Sequence, residues 1–314
     1  MGTVWSSAPE KHEMSLVSKI YQCLKPTVIG ARFLRYPPGH YYSPIPDIRQ
    51  IRRRQDSIGR ESKECPAIDL RETEQLDLLN KLAAYYGELP FSVHQRDSNR
   101  YYYDNSFFSY ADAIVLFGML RHFRPIKIIE VGSGFSSAVM LDTNDAFFQS
   151  QTHFTFIEPY PDRLNSLLTD SDRDQCVLIP RTVQDVELDL FETLEANDIL
   201  FIDSSHIVKT GSDLVRIVFE ILPRLKRGVI VHFHDILWPF DYPKEWFNAG
   251  RAWNESYFVR AFLQFNSSFE ILYFNAFMDA FHKDTLRTKM PLCLDASSDR
   301  MTLGASSLWL RKVA

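Results

Sequence analysis

The chain has 314 residues, 45% hydrophobic and 24% charged, with a formal net charge of −5. That length suits one large α/β domain with an added segment, or two small domains, and the apolar share is enough for a sizeable core. The charge balance excludes the globally basic face of a duplex-DNA binder; the one dense basic run, Arg49, Arg52, Arg53 and Arg54, reads as a solvated face.

Residues 1 to about 65 read as irregular, because Pro37-Pro38-Gly39 and Ser43-Pro44-Ile45-Pro46 block long helices. Within them the moderately apolar stretch Leu16 to Leu34 reads as a packing or lid segment. Past Asp69, Leu76, Leu79, Ala83 and Tyr86 recur at helical spacing, with a stop at Gly87 and Pro90. A second helix is expected over Asp112 to Phe123, broken by Pro125. Five short apolar runs then alternate with helical segments: 126–131, 154–157, 176–179, 199–202 and 229–233. The clearest helix among the segments between them is Ser212 to Leu222. This alternation implies βαβ units and a parallel sheet. The tail adds strands at 269–274 and 307–311, with no clear long crossover helix between them, so an antiparallel final strand fits. The expected fold is α/β, a Rossmann-like, seven-stranded, mostly parallel sheet with an antiparallel last strand. Residues 1–110 form an N-terminal accessory or lid segment and 111–314 the main domain.

Chemistry gathers where these strands end, which is where open α/β sheets bind ligands. Glu130-Val131-Gly132-Ser133-Gly134-Phe135-Ser136-Ser137 joins a strand to a helix, and its glycines let backbone approach a ligand closely. Glu158 ends the second strand, where a carboxylate can accept from both hydroxyls of a ribose. Two acids near one ligand suit an ammonium or sulfonium better than a pyrophosphate. Gln184-Asp185, after the third strand, can meet an adenine edge. Asp203 and His206 end the fourth strand, and His232, His234 and Asp235 the fifth. Neighbouring parallel strands bring such ends together, so Asp203, His206, His234 and Asp235 are expected to converge. Carboxylate with imidazole suits a divalent ion, or a general base for a hydroxyl. His232, inside its strand, reads as structural. Tyr101, Tyr102, Tyr103 and Asn105, with His40, are candidates for a lid or acceptor wall.

Together Glu130-Val131-Gly132-Ser133-Gly134, Glu158-Pro159, Asp203-Ser204-Ser205-His206 and His234-Asp235 resemble class I S-adenosylmethionine-dependent methyltransferases. They look most like the bacterial group with catechol and macrolide-sugar O-methyltransferase-like enzymes. The resemblance runs from about Asp112 to Arg311. It implies that Glu130, Gly132, Gly134 and Glu158 bind S-adenosylmethionine, and Ser133, Ser136, Asp185 and Asp203 join them as cofactor candidates by their positions at the strand ends. It also implies a metal at Asp203, His234 and Asp235, with His206, His234 and Asp235 catalytic. Metal-dependent relatives carry an Asp-Asn pair where this chain has His234-Asp235, so a softer ion, or none, stays open.

The expected reaction is methylation of a hydroxyl on a small molecule, sugar or glycan, with a divalent metal as an optional aid and no nucleic acid partner. Two alternatives stay open. One is an NAD(P)-dependent oxidoreductase or epimerase, against which stand the missing Tyr-xxx-Lys pair and the reversed last strand. The other is a non-catalytic partner protein that kept the fold. The four cysteines, Cys23, Cys65, Cys176 and Cys293, have no CxxC or finger spacing, which points to a reducing, cytoplasmic setting. No apolar run reaches the roughly 18 residues of a membrane span, and the polar start is unlike a signal peptide.

Overall fold

The computed structural model describes residues 35–54, 62–96, 99–298 and 303–314. The expectations for Leu16 to Leu34 and for Cys23 lie outside these residues. The chain divides into two compact units, 1–54 and 55–314. In the first, Gly39 takes a left-handed φ of 86° and donates its N–H to the Ile45 carbonyl, closing the proline-rich turn. The short helix Ile48–Arg54 follows, with Arg49, Arg52, Arg53 and Arg54 all exposed, the solvated face its charge run suggests.

The second unit is built on one seven-stranded sheet. Its strands are β1 Lys127–Val131, β2 His153–Ile157, β3 Cys176–Ile179, β4 Ile199–Ile202, β5 Ile230–Phe233, β6 Phe269–Phe274 and β7 Leu308–Lys312. Each lies where its apolar run predicts. The order is β3-β2-β1-β4-β5-β7-β6; β1 to β5 are parallel, and β7 runs antiparallel between β5 and β6. Every residue of β4 and β5 is buried, as strands covered on both faces require, whereas Val177 on the edge strand β3 is exposed.

Two connections differ from expectation. The helix foreseen over 212–222 begins as α at Asp213–Arg216, widens to a π turn at Ile217–Ile221 and tightens to 3₁₀ at Leu222–Arg224. Pro223, lacking an amide hydrogen, cannot continue a regular ladder. Between β6 and β7 stand two helices, Asn275–Phe281 and Lys283–Lys289, each of 7 residues and so too short for periodicity to register. Cys65, Cys176 and Cys293 are unpaired thiols. Among the described residues no helix is long and apolar enough to cross a membrane.

Two polar ties fix the sheet's surroundings. Gln75, fully buried on the helix Glu72–Ala83, accepts from the Phe274 N–H at 2.8 Å and donates to the Leu70 carbonyl, docking that helix against β6. Arg100 donates to Asp142 at 2.7 Å and, through two nitrogens, to Asp172 at 2.9 and 2.6 Å. This fork fastens the loop ahead of helix Tyr110–Phe123 to the helices Phe135–Phe147 and Asp170–Gln175.

The ladder also runs one residue past β1, β2, β4 and β5. Gly132 N–H donates to Ile157, Glu158 to Ile179, Asp203 to Val131 and His234 to Ile202, at 2.9 to 3.1 Å. The first residue of each loop is therefore held as firmly as the strand. Because β1 lies between β2 and β4, the chain order reverses there, and a crevice opens beyond the carboxyl ends of β1 and β4.

Candidate active site

The glycine loop follows β1. Gly132 sits at φ 83°, and a Cβ on it would come 1.7 Å from the Asp203 carbonyl oxygen. The loops after β1 and β4 thus pack backbone to backbone, which only glycine permits. Gly134 then starts the helix Phe135–Phe147, and a Cβ there would press on the Arg163 side chain at 3.1 Å. Both glycines leave the mouth of the loop bare.

Beneath this loop lies Glu130, fully buried. Ser136 donates to one of its oxygens at 2.5 Å and Ser137 to the other, while Ser137 also accepts from the Gly134 N–H. Burial pushes its carboxyl up to about 8, against the pull of the two hydroxyls. Glu130 therefore braces the loop from below, and the cavity wall is formed by the residues above it. Glu158 does line the cavity; its carboxylate accepts from the Ser133 N–H at 3.1 Å and the Tyr160 N–H at 2.8 Å.

The cavity has a volume of about 460 Å³ and joins the loops after β1, β2, β4 and β5. Of the expected cofactor residues, Gly132, Ser133, Gly134, Ser136, Glu158 and Asp203 line it. Asp185 does not: it ends a 3₁₀ turn, Val183–Asp185, is exposed, and accepts from Thr182 Oγ1 at 2.7 Å. Gln184 is turned to the Gly211 carbonyl. The cavity wall is not made by the tyrosines expected as an acceptor wall. Tyr101 and Tyr103 are buried in the core, and Asn105 caps its own turn by accepting from Phe107 and Phe108, so the wall is made by Ser106, Phe107 and Phe108.

His206, His234 and Asp235 all reach the cavity, as expected. His206 and Asp235 hold left-handed backbones, φ 59° and 56°, a strain that costs about 1 kcal/mol or more each and persists where neighbours fix it. The His206 carbonyl accepts from the Asn254 and Glu255 N–H groups. Its Nδ1 meets Glu255 Oε2 at 2.7 Å, and its Nε2 lies 3.5 Å from Asp203 Oδ1 and 3.7 Å from Asp235 Oδ2. Burial pulls the His206 pKa down, but Asp203, Glu255 and Asp235 outweigh it, and the imidazolium is favoured well above the usual histidine range. Asp203 is pushed up by burial and held below its ordinary value by His234, His206 and Arg163.

His234 is buried beside the Phe108 ring. Its Nε2 is 3.7 Å from Asp235 Oδ1, and its Nδ1 has no hydrogen-bond partner among the described residues. Burial lowers its pKa, yet Asp235, Asp203 and Asp112 bring the net direction upward. His232 behaves as structural: its Nε2 bonds Ser307 Oγ at 2.9 Å, it stacks on Phe201, and burial drives its pKa well down.

The residues fit S-adenosylmethionine. The bare glycine cradle, the Glu158 carboxylate beside it and Ser204 Oγ, buried with no partner among the described residues, form a polar niche. They do not fit a metal in the way the resemblance implies. Among the described residues no three His, Cys, Asp or Glu side chains gather to hold an ion. The left-handed turn at His206 places its imidazole, 3.5 Å from Asp203 and 3.7 Å from Asp235, where a cation would otherwise sit.

Glu255, Trp246, Arg251 and Trp253 escape sequence reasoning. Glu255 opens the helix Glu255–Leu263, and the other three line the cavity from the segment before it. Their only signal is a local excess of tryptophan.

A family profile described as a methyltransferase domain matches residues 129–236, from within β1 to just past Asp235. An uncharacterized protein of Archaeoglobus fulgidus is 40% identical over 167 residues, covering 52% of this chain and 75% of that relative. With the sheet order and glycine loop above, the chain belongs to the class I S-adenosylmethionine-dependent methyltransferases. Solved structures with a similar fold include the S-adenosylhomocysteine-bound methyltransferase PaMTH1 of Podospora anserina. It is 12% identical and covers 76% of this chain and 88% of its own, with a TM-score of 0.41. The O-methyltransferase TomG of Streptomyces achromogenes is 13% identical, covering 76% and 90%, with a TM-score of 0.38.

Proposed function

We propose that this methyltransferase transfers a methyl group to a hydroxyl oxygen of a small molecule, with His234 removing the proton and no metal between Asp203 and Asp235. Bound S-adenosylmethionine supplies an activated methyl on a sulfonium. The chain's own task is to orient the acceptor for in-line attack and to take its proton. The observation that carries this reading is the pairing of two unlike imidazoles on one cavity. His206 is clamped by carboxylates and keeps its proton, so it is a poor base. His234 has an unpartnered ring nitrogen on the same wall, and Asp203 and Asp235 stabilise the cation it becomes.

His206, in turn, offsets part of the negative charge of Asp203 and Asp235 and so weakens their repulsion of an alkoxide as it develops. The Gly132–Gly134 cradle and Glu158 hold the nucleoside end, by resemblance through the ribose hydroxyls. The acceptor approaches past Phe107 and Phe108.

The test is methyl transfer from isotope-labelled S-adenosylmethionine to a panel of hydroxylated compounds, read by mass spectrometry with and without EDTA. Labelled ether products unaffected by EDTA support the reading. Products that vanish with EDTA and return with a divalent ion would overturn its metal-free part; methyl-nitrogen products would overturn the hydroxyl assignment.

A further inference from the structure

Among the described residues Arg251 is the one half-buried guanidinium on the cavity wall, and no ion pair engages it. It lies over two indoles, its Cζ 4.7 Å from the Trp246 ring centroid and 4.9 Å from that of Trp253. Stacking uses the face of a guanidinium and leaves its in-plane N–H donors free, in the fork that matches a carboxylate. Trp253 turns its ring to His206 as well, at 4.3 Å between centroids. One indole thus separates the guanidinium from the imidazole. Arg163, by contrast, stands over Phe107 at 3.6 Å and packs against Gly134, on the cofactor side.

A cation held half out of water with no counter-charge is costly unless a ligand supplies the anion. Trp246, Trp253 and Phe107 give flat apolar walls on which a ring can lie. We infer that Arg251 is a specificity-determining residue which binds the carboxylate of a ring-hydroxylated aromatic acid, placing its hydroxyl at the histidine end of the cavity. This deepens the proposed O-methylation and rests on that reading.

The test is calorimetric titration of the S-adenosylhomocysteine-loaded protein with the three hydroxybenzoate isomers and their neutral amides. It is repeated on Arg251→Gln and Arg251→Lys. At least one hydroxybenzoate binds the wild type about tenfold or more tightly than its amide, as a charged hydrogen-bonded pair allows. Arg251→Gln abolishes the difference, and Arg251→Lys, which keeps charge but not the fork, retains part of it. Binding of S-adenosylhomocysteine with no hydroxybenzoate bound, or with acid and amide bound equally, overturns the inference and leaves the cofactor site standing. A preference that survives in Arg251→Gln overturns it too. Failure of the wild type to bind S-adenosylhomocysteine strikes the methyltransferase reading itself.

Discussion

Two of the cations that lie among carboxylates in the second unit, Arg100 and His206, are built differently. Arg100 makes four hydrogen bonds to Asp142 and Asp172 within 2.6 to 3.3 Å, counting its own N–H, in a fork whose proton cannot leave. His206 makes one short contact, to Glu255, and leaves Asp203 and Asp235 at 3.5 and 3.7 Å, open toward a cavity. The first arrangement saturates its acceptors and fastens three segments together. The second leaves carboxylate lone pairs free and stores backbone strain beside them. Saturation marks a structural joint, and incomplete satisfaction beside a cavity marks a site.

That contrast can be broken in order of effect. Replacing His234 by alanine should lower turnover by about 10²–10⁴, the usual worth of a positioned base, with S-adenosylmethionine affinity within a few-fold. Single-turnover kinetics and calorimetry separate the two, and near-normal turnover would remove His234 from the proton transfer. Arg100→Ala should leave two buried carboxylates uncompensated and cost about 3–5 kcal/mol of stability by chemical denaturation. Turnover per folded molecule should then change little; a purely catalytic loss would mean that the joint is part of the site.

Glu255→Gln should cost less, on the order of 1–3 kcal/mol, by weakening one charged hydrogen bond. Its pH dependence is the sharper readout. His206 is raised in the folded state, so the stability it contributes is complete below the ordinary histidine pKa of about 6.5 and lost as pH rises through its folded value. The wild type's advantage over E255Q in melting temperature should therefore shrink toward alkaline pH. An advantage that grows there would show that His206 is not the linked group. Smallest of all, Arg53→Ala in the exposed helix Ile48–Arg54 should shift stability by no more than about 0.5 kcal/mol.

Much of this architecture is legible in the residues. The strands announce themselves because β4 and β5 are buried and nearly all apolar, and the ends of β1, β4 and β5 carry Gly132, Asp203 and His234. What is hidden is direction and long-range packing. Nothing in Glu130 tells that Ser136 and Ser137 cover it, since that depends on the helix turning back over the strand. Asp185 looks poised for an adenine edge, but a 3₁₀ turn closes it on Thr182. The metal expectation rests on carboxylate and imidazole neighbours alone. It takes the left-handed backbone of His206, and Glu255 some 49 positions away, to show an imidazole set beside both aspartates. Arg251 and Trp253 stand in a segment without periodicity, where only the folded cavity reveals what they face.

The measurement closest to the centre is calorimetric titration of the purified protein with S-adenosylmethionine, S-adenosylhomocysteine and NAD, each with EDTA and with a divalent metal added. Micromolar binding of the two adenosyl-sulfur compounds, unchanged by EDTA, with none of NAD, is the predicted result. Binding of NAD alone, or adenosyl-sulfur binding that needs the metal, would contradict the account.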